Sequence, residues 1–257
     1  MEPTTQGGNR TGAATAPEGV TAMLYIAERW SPPKAPDVSL ADEDRGRYIA
    51  ASDALGSVPP PPTLKGMVKA GMDKMLGQRP EMLFDKIGER IAFERGGTRL
   101  YDALLLKFDV LASTTGVPDL PLLEGGVRAD SPRAALLRIR AQEHAHFLML
   151  CEAMRTLGGD PTAQTPCADV VGVASMGLMQ VVTDPRTTLA QSLNAVLTAE
   201  LTDTAGWDLL VQLAVQSGHT DLAEQFGLAL AEEAQHVNTI TSWTAALASA
   251  QIVTPAT

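Results

Sequence analysis

The chain has 257 residues, is 45% hydrophobic and 19% charged, and carries a net charge of −10 from 20 basic and 30 acidic side chains. That length and apolar content can bury a sizeable core and exclude wholesale disorder. The acidic balance repels nucleic acid and anionic membrane surfaces and attracts small cations. Two cysteines, Cys151 and Cys167, make neither a disulfide scaffold nor the Cys-x-x-Cys pairs of a zinc ribbon or a rubredoxin. The N-terminus shows no basic-then-apolar signal pattern, and the longest apolar stretch, Val170 to Val182, is 13 residues where a bilayer needs about 20. A soluble, cytoplasmic chain with no nucleic-acid and no membrane partner is expected.

Residues 1–63 read as an irregular, Pro-rich N-terminal arm, with APEG at 16–19, SPPKAP at 31–36 and VPPPP at 58–62, the last suited to polyproline II. Two apolar stretches, 22–30 and 47–55, can form brief docking helices. Residues 64–79 read as a short amphipathic helix, centred on Leu64 to Leu76. From Pro80 the pattern changes to long proline-free segments with apolar residues at helical spacing. The first helix opens at Pro80 and closes at Gly116. The second opens at Ser131-Pro132 and ends at Gly158-Gly159; the third runs from Asp184-Pro185 to Gly218, and the fourth from Thr220 to near Ala250. Helices 3 and 4 must form a hairpin. The segment between helices 2 and 3 is long enough to cross the bundle, with 167–182 as a crossover helix. The expected fold is therefore all-α, a four-helix bundle over 80–250 with one long crossover between helices 2 and 3.

Two of the four histidines follow a glutamate by three residues, EHAH at 143–146 and EAQH at 233–236. At 100° per residue, Glu143 sits among Leu136, Ile139, Phe147, Leu150, Met154 and Leu157, and Glu233 among Phe226, Leu230, Val237 and Ile240. Each carboxylate is centred on an apolar stripe, with His146 and His236 to one side. Glu232 and His144 fall on the rim and read as solvent-facing. The other helices repeat the anomaly: Glu94 lies among Ile87, Ile91, Leu105 and Phe108, and Glu200 among Leu193, Val196, Leu197 and Val211. Four buried, unpaired carboxylates would each cost several kcal/mol or titrate to neutrality, and two divalent cations remove that cost. A repeat supports the pairing of the halves, because ERGGTRLYDAL at 94–104 aligns without gaps with ELTDTAGWDLL at 200–210.

These residues resemble the ferritin-like di-iron carboxylate proteins, among them bacterioferritin, rubrerythrin and manganese catalase, in which two helices give one Glu each and two give Glu-x-x-His. The resemblance covers about Pro80 to Ala250, including Tyr101 and Trp207 two turns after the first glutamates and LGGDP at 157–161. It implies Glu94 and Glu200 as terminal metal ligands, Glu143 and Glu233 as bridges, and His146 and His236 as ligands to one metal each. The chain departs from the family in lacking a rubredoxin module and in carrying its N-terminal extension. Asp203 mirrors the histidine positions and is a candidate extra ligand or acceptor. Asp102 and Asp208 are candidates to bond the distal nitrogens of His146 and His236, and Tyr101 and Trp207 read as packing residues first.

Carboxylates and imidazoles without thiolate suit iron or manganese and can also accommodate zinc; iron is expected. The expected activity is oxygen- or peroxide-dependent oxidation, in its simplest form a ferroxidase, and the resemblance implies a homo-oligomer of at least two chains. Two other readings remain open: a di-iron oxidase or oxygenase acting on an organic substrate, marked by apolar space near Phe93, Met176 or Met179, and a non-enzymatic helical scaffold.

Overall fold

The structure, a computed structural model, describes residues 12–34, 37–63, 66–67, 80–117, 119–121 and 131–253. The chain divides into two units, Met1–Asp53 and Ala54–Thr257. Among the described residues it is helical and contains no strand.

The first unit holds a 3-10 turn, Ala13–Thr15, and two helices, α1 (Pro17–Trp30) and α2 (Ser39–Ala51). The arm is thus less irregular than its proline content suggests. Its prolines cluster outside two proline-free runs, and Pro17 begins α1 at a position where its missing N–H costs nothing. Neither helix buries a residue, and Met23, Leu24, Tyr25, Ile26 and Trp30 are all exposed. Apart from residues 66–67, which are helical, the amphipathic helix expected over 64–79 lies outside the described residues.

The second unit contains four long helices, α3 (Pro80–Thr114), α4 (Pro132–Thr156), α7 (Leu189–Gln216) and α8 (Thr220–Val253), with α5 (Pro166–Ala174) and α6 (Met176–Thr183) between α4 and α7. Ser131 caps α4 by accepting from Ala134 N. Helix α4 ends on Gly158 at φ 89°, with Gly159 N bonded to Met154 O, and α7 ends on Gly218 at φ 73°, with His219 N bonded to Ala214 O. Both are left-handed closures that favour glycine.

Helix α7 starts later than the Asp184-Pro185 signal implied. Asp184 is consumed in a turn, accepting from Arg186 N and its guanidinium. Thr188 and Gln191 then form a reciprocal capping box. Lys107 of α3 braces this start, donating to Asp184 O at 2.9 Å and Ser192 Oγ at 3.0 Å. The crossover is two helices rather than one, broken at Ser175, whose hydroxyl donates to Val171 O. Pro166–Thr183 is long and apolar enough, by length and composition, to cross a membrane. Here α5 packs on α3, and α6 on both α3 and α7.

Two apolar clusters fix the helix directions. One contains Leu104 and Phe108 of α3, Leu136 and Ile139 of α4, Leu193 and Val196 of α7, and Ile240 and Trp243 of α8. The other contains Leu83 and Ile87, Leu150 and Met154, Leu210 and Ala214, and Ala223 and Phe226 from the same four helices. Helices α4 and α7 both run from the first cluster to the second, whereas α3 and α8 run the other way. The segment between α4 and α7 therefore returns along the length of the bundle. Each long helix passes through a middle layer between the clusters, and that layer is polar.

Candidate metal centre

The middle layer holds Glu94 from α3, Glu143 and His146 from α4, Glu200 and Asp203 from α7, and Glu233 and His236 from α8, all buried. Their ligand atoms form three overlapping groups, each of which could hold a metal ion: Glu143, Glu200, Glu233 and His236; Glu94, His146 and Glu233; and Glu94, Glu143, Asp203 and Glu233. Glu233 belongs to all three, and Glu94 and Glu143 to two each. The Nδ1 atoms of the two imidazoles face inward. That of His236 lies 3.1 Å from Glu233 Oε2 and 3.5 Å from both Glu143 Oε1 and Glu200 Oε2. That of His146 lies 2.8 Å from Glu233 Oε1 and 3.7 Å from Glu94 Oε2.

The aromatic residues of the repeat do more than pack. Tyr101, on the helix of Glu94, donates its hydroxyl to Glu200 Oε1, and Trp207, on the helix of Glu200, donates its indole N–H to Glu94 Oε1 at 2.7 Å. Each half of the repeat thus bonds the carboxylate of the other. The shared threonines match too, Thr98 donating to Glu94 O and Thr204 to Glu200 O.

The distal histidine nitrogens have partners other than those expected. Asp102 is exposed and pairs with Arg140, and Asp208 accepts from Gln212 on its own helix. His146 Nε2 instead meets Glu232 Oε2 at 2.8 Å, and His236 Nε2 meets Gln142 Oε1 at 3.1 Å. Glu232 is therefore not simply solvent-facing: its side chain is 42% exposed, yet its carboxylate reaches across to α4. A signal for both partners was present in the sequence, since Gln142 and Glu232 each immediately precede the motif glutamate. Their distance from the stripe centre obscured it.

Arg90 carries no motif signal in the sequence, yet it belongs to the site. It is buried, lies 4.2 Å over the ring of Phe93, and its Nη1 is 2.9 Å from Asp203 Oδ1. In the repeat Asp203 aligns with Gly97, which breaks the symmetry of the halves. A β-carbon on Gly97 would stand 2.0 Å from Glu143 Oε2. Glycine is required there because the Glu143 carboxylate occupies the side-chain position.

The electrostatics follow from crowding without water. Burial, reinforced by Glu94, pushes the Glu143 carboxyl well above its usual range, and burial pushes Glu200 up to about 7. Burial also raises Asp203 strongly, with Arg90 opposing. Burial works against ionisation of Glu233 too, but the adjacent imidazoles of His146 and His236 hold it at about 2. Burial opposes the charging of both imidazoles. Even so, Glu233 and Glu94 raise His146 to about 10, and Glu143, Glu200 and Glu233 raise His236 to about 12. With protein groups alone, the layer holds its excess negative charge by keeping protons.

The donor set fits divalent cations. Glu94 Oε2, Glu143 Oε1, His146 Nδ1, Glu200 Oε2, Asp203 Oδ1 and Glu233 Oε1 are buried and make no hydrogen bond, although ordinary proteins pair nearly all such atoms. The 2.8 Å approach of His146 Nδ1 to Glu233 is an ion-pair distance without hydrogen-bond alignment. Five of these six atoms belong to residues singled out by the helical motifs, and the sixth belongs to Asp203. Comparison of the chain with family models, with curated proteins and with solved structures returns no match.

Proposed function

We propose that the chain is a dinuclear metal oxidase built on a ferritin-like four-helix bundle. The observation that carries this reading is the set of inward-facing, hydrogen-bond-free oxygen and nitrogen atoms on Glu94, Glu143, His146, Glu200 and Glu233, one or two from each long helix. The parallel course of α4 and α7, joined by a crossover along the bundle, supports the ferritin-like topology.

Glu94, His146 and Glu233 would hold one ion and Glu143, Glu200, Glu233 and His236 a second, with Glu233 common to both groups. Iron suits this set best, with manganese possible. The chemistry that a bound iron pair supplies is two-electron reduction of dioxygen or peroxide. The chain's part is to hold the ligands, exclude water and fix the imidazoles. Bonds from Tyr101 and Trp207 occupy one oxygen each of Glu200 and Glu94, leaving the other free to ligate. Glu232 and Gln142 accept from the distal nitrogens, which leaves Nδ1 of each ring for the metal. Asp203 is held by Arg90 beside the ligands.

Ferroxidase activity is the simplest form. Oxidation of an organic substrate is a second form, favoured by an apolar pocket that meets Phe93, Met176 and Met179. The test is metal analysis of aerobically purified protein, then titration of the metal-free chain with Fe(II) under air while following near-ultraviolet absorbance. Two ions per chain and a signal that saturates at that ratio are expected. No metal and no response to Fe(II) or Mn(II) would reject the reading.

A further inference from the structure

Between α3 and the crossover lies a pocket of about 150 Å³, lined by Phe93, Gly96, Gly97, Leu100, Met176 and Met179, with Ala199 of α7 also in its lining. Its wall is mostly apolar, and Met176 in that wall is exposed. A space of this size, lined by apolar groups, takes up a benzene-sized molecule. The methionines add a polarizable wall that adapts to ligand shape.

Two features tie the pocket to the polar layer. Gly97 lines it and also packs against the Glu143 carboxylate, which fills the place of its missing side chain. Phe93 and Ala199 line it one residue before Glu94 and Glu200. One charged group stands in the lining: Arg99, exposed and without a hydrogen-bond or ion-pair partner among the described residues. At Gly96, which also lines the pocket, a β-carbon would meet nothing within 4 Å.

We propose that this pocket binds the apolar end of a small organic acid, an aromatic ring or a short chain of similar bulk, with its carboxylate facing Arg99. The role of that acid as substrate rests on the dinuclear-oxidase reading, whereas its binding does not.

The test is ¹⁹F NMR titration of the full chain with 4-fluorophenylacetate and with fluorobenzene. Both probes should bind saturably at one site, the acid about tenfold more tightly. Gly96→Leu, which grows a side chain into the open space, should weaken both at least tenfold while retaining helix content and metal uptake. Met179→Trp fills the same pocket from α6 and serves where Gly96→Leu fails to fold. Arg99→Gln should bring the acid down to the affinity of fluorobenzene. Absence of saturable binding, or undiminished binding in the filled variants, overturns the proposal; equal affinity for the two probes overturns the acidic end. A chain that binds the probes but takes up no Fe(II) rejects the metal reading and leaves the pocket standing. One that takes up two Fe(II) and neither probe does the reverse.

Discussion

Glu232 on α8 places its Oε2 2.8 Å from Nε2 of His146 on α4, which turns the other nitrogen of that ring toward Glu94 and Glu233. The mirror contact joins Gln142 on α4 to His236 on α8 at 3.1 Å. Each imidazole is oriented by the residue that precedes the motif glutamate of the opposite helix. The same exchange holds for Tyr101 with Glu200 and Trp207 with Glu94. The two halves of the repeat therefore support each other's ligands.

Loss of an orienting group should be graded against loss of a ligand. Glu232→Ala and Gln142→Ala are expected to weaken metal binding by about 10- to 100-fold, the usual effect of removing such a partner, while two ions still bind at saturation. Glu143→Ala and Glu233→Ala should abolish tight binding of the pair. Competition titration against a chelator separates the classes, and wild-type affinity in both Glu232→Ala and Gln142→Ala would remove the orienting role.

Gly97→Ala is expected to disable the centre without unfolding the bundle. Its β-carbon would sit 2.0 Å from Glu143 Oε2, so the carboxylate must leave its position. Alanine itself favours the helix by about 1 kcal/mol over glycine. Metal analysis should show less than full loading beside a near-native circular dichroism spectrum. Full loading would show that Glu143 has another productive position.

Trp207→Phe removes the donor to Glu94 Oε1 in a fully buried setting. An unsatisfied buried acceptor costs about 1–3 kcal/mol, so thermal unfolding should move down by several degrees. The ring also contacts His146 edge-on at 5.4 Å and Phe226 at 5.7 Å, so Tyr101→Phe, which keeps its ring, is the cleaner companion. An unchanged melting temperature in both would mean that these bonds contribute nothing net.

The metal-free protein should become more stable on mild acidification. Glu143 and Asp203 are raised strongly and Glu200 to about 7 from 4.5. Such groups stabilise the fold fully below their unfolded values and lose that contribution as pH rises through the folded ones. The imidazoles act in the same direction, raised from 6.5 to about 10 and about 12. Glu233, lowered to about 2 from 4.5, acts oppositely, but only as pH falls below the ordinary carboxyl range. The melting temperature of metal-free protein should climb from pH 8 to pH 5. Metal uptake at neutral pH should release protons, because the ligands must shed them. A melting temperature that only falls over that interval would contradict the crowded buried layer.

The helices, their caps and the inward carboxylates were legible in the sequence because they depend on local rules. Ser131-Pro132 and Gly158 mark the ends of α4, and the 3.6-residue period alone places Glu94, Glu143, Glu200 and Glu233 on apolar stripes. The start of α7 differs from the Asp184-Pro185 signal because Thr188 and Gln191 form a capping box a few residues later, braced by Lys107 from another helix. Only the tertiary structure decided which side chains meet across helices. Asp102 and Glu232 both lie off the centre of their stripes, and helical phase cannot say that one turns to Arg140 while the other reaches His146. That choice depends on the rotation and spacing of neighbouring helices, as does the Arg90–Asp203 pair. The pocket is likewise a tertiary property, for it is the volume left where α3, α6 and α7 meet over two glycines.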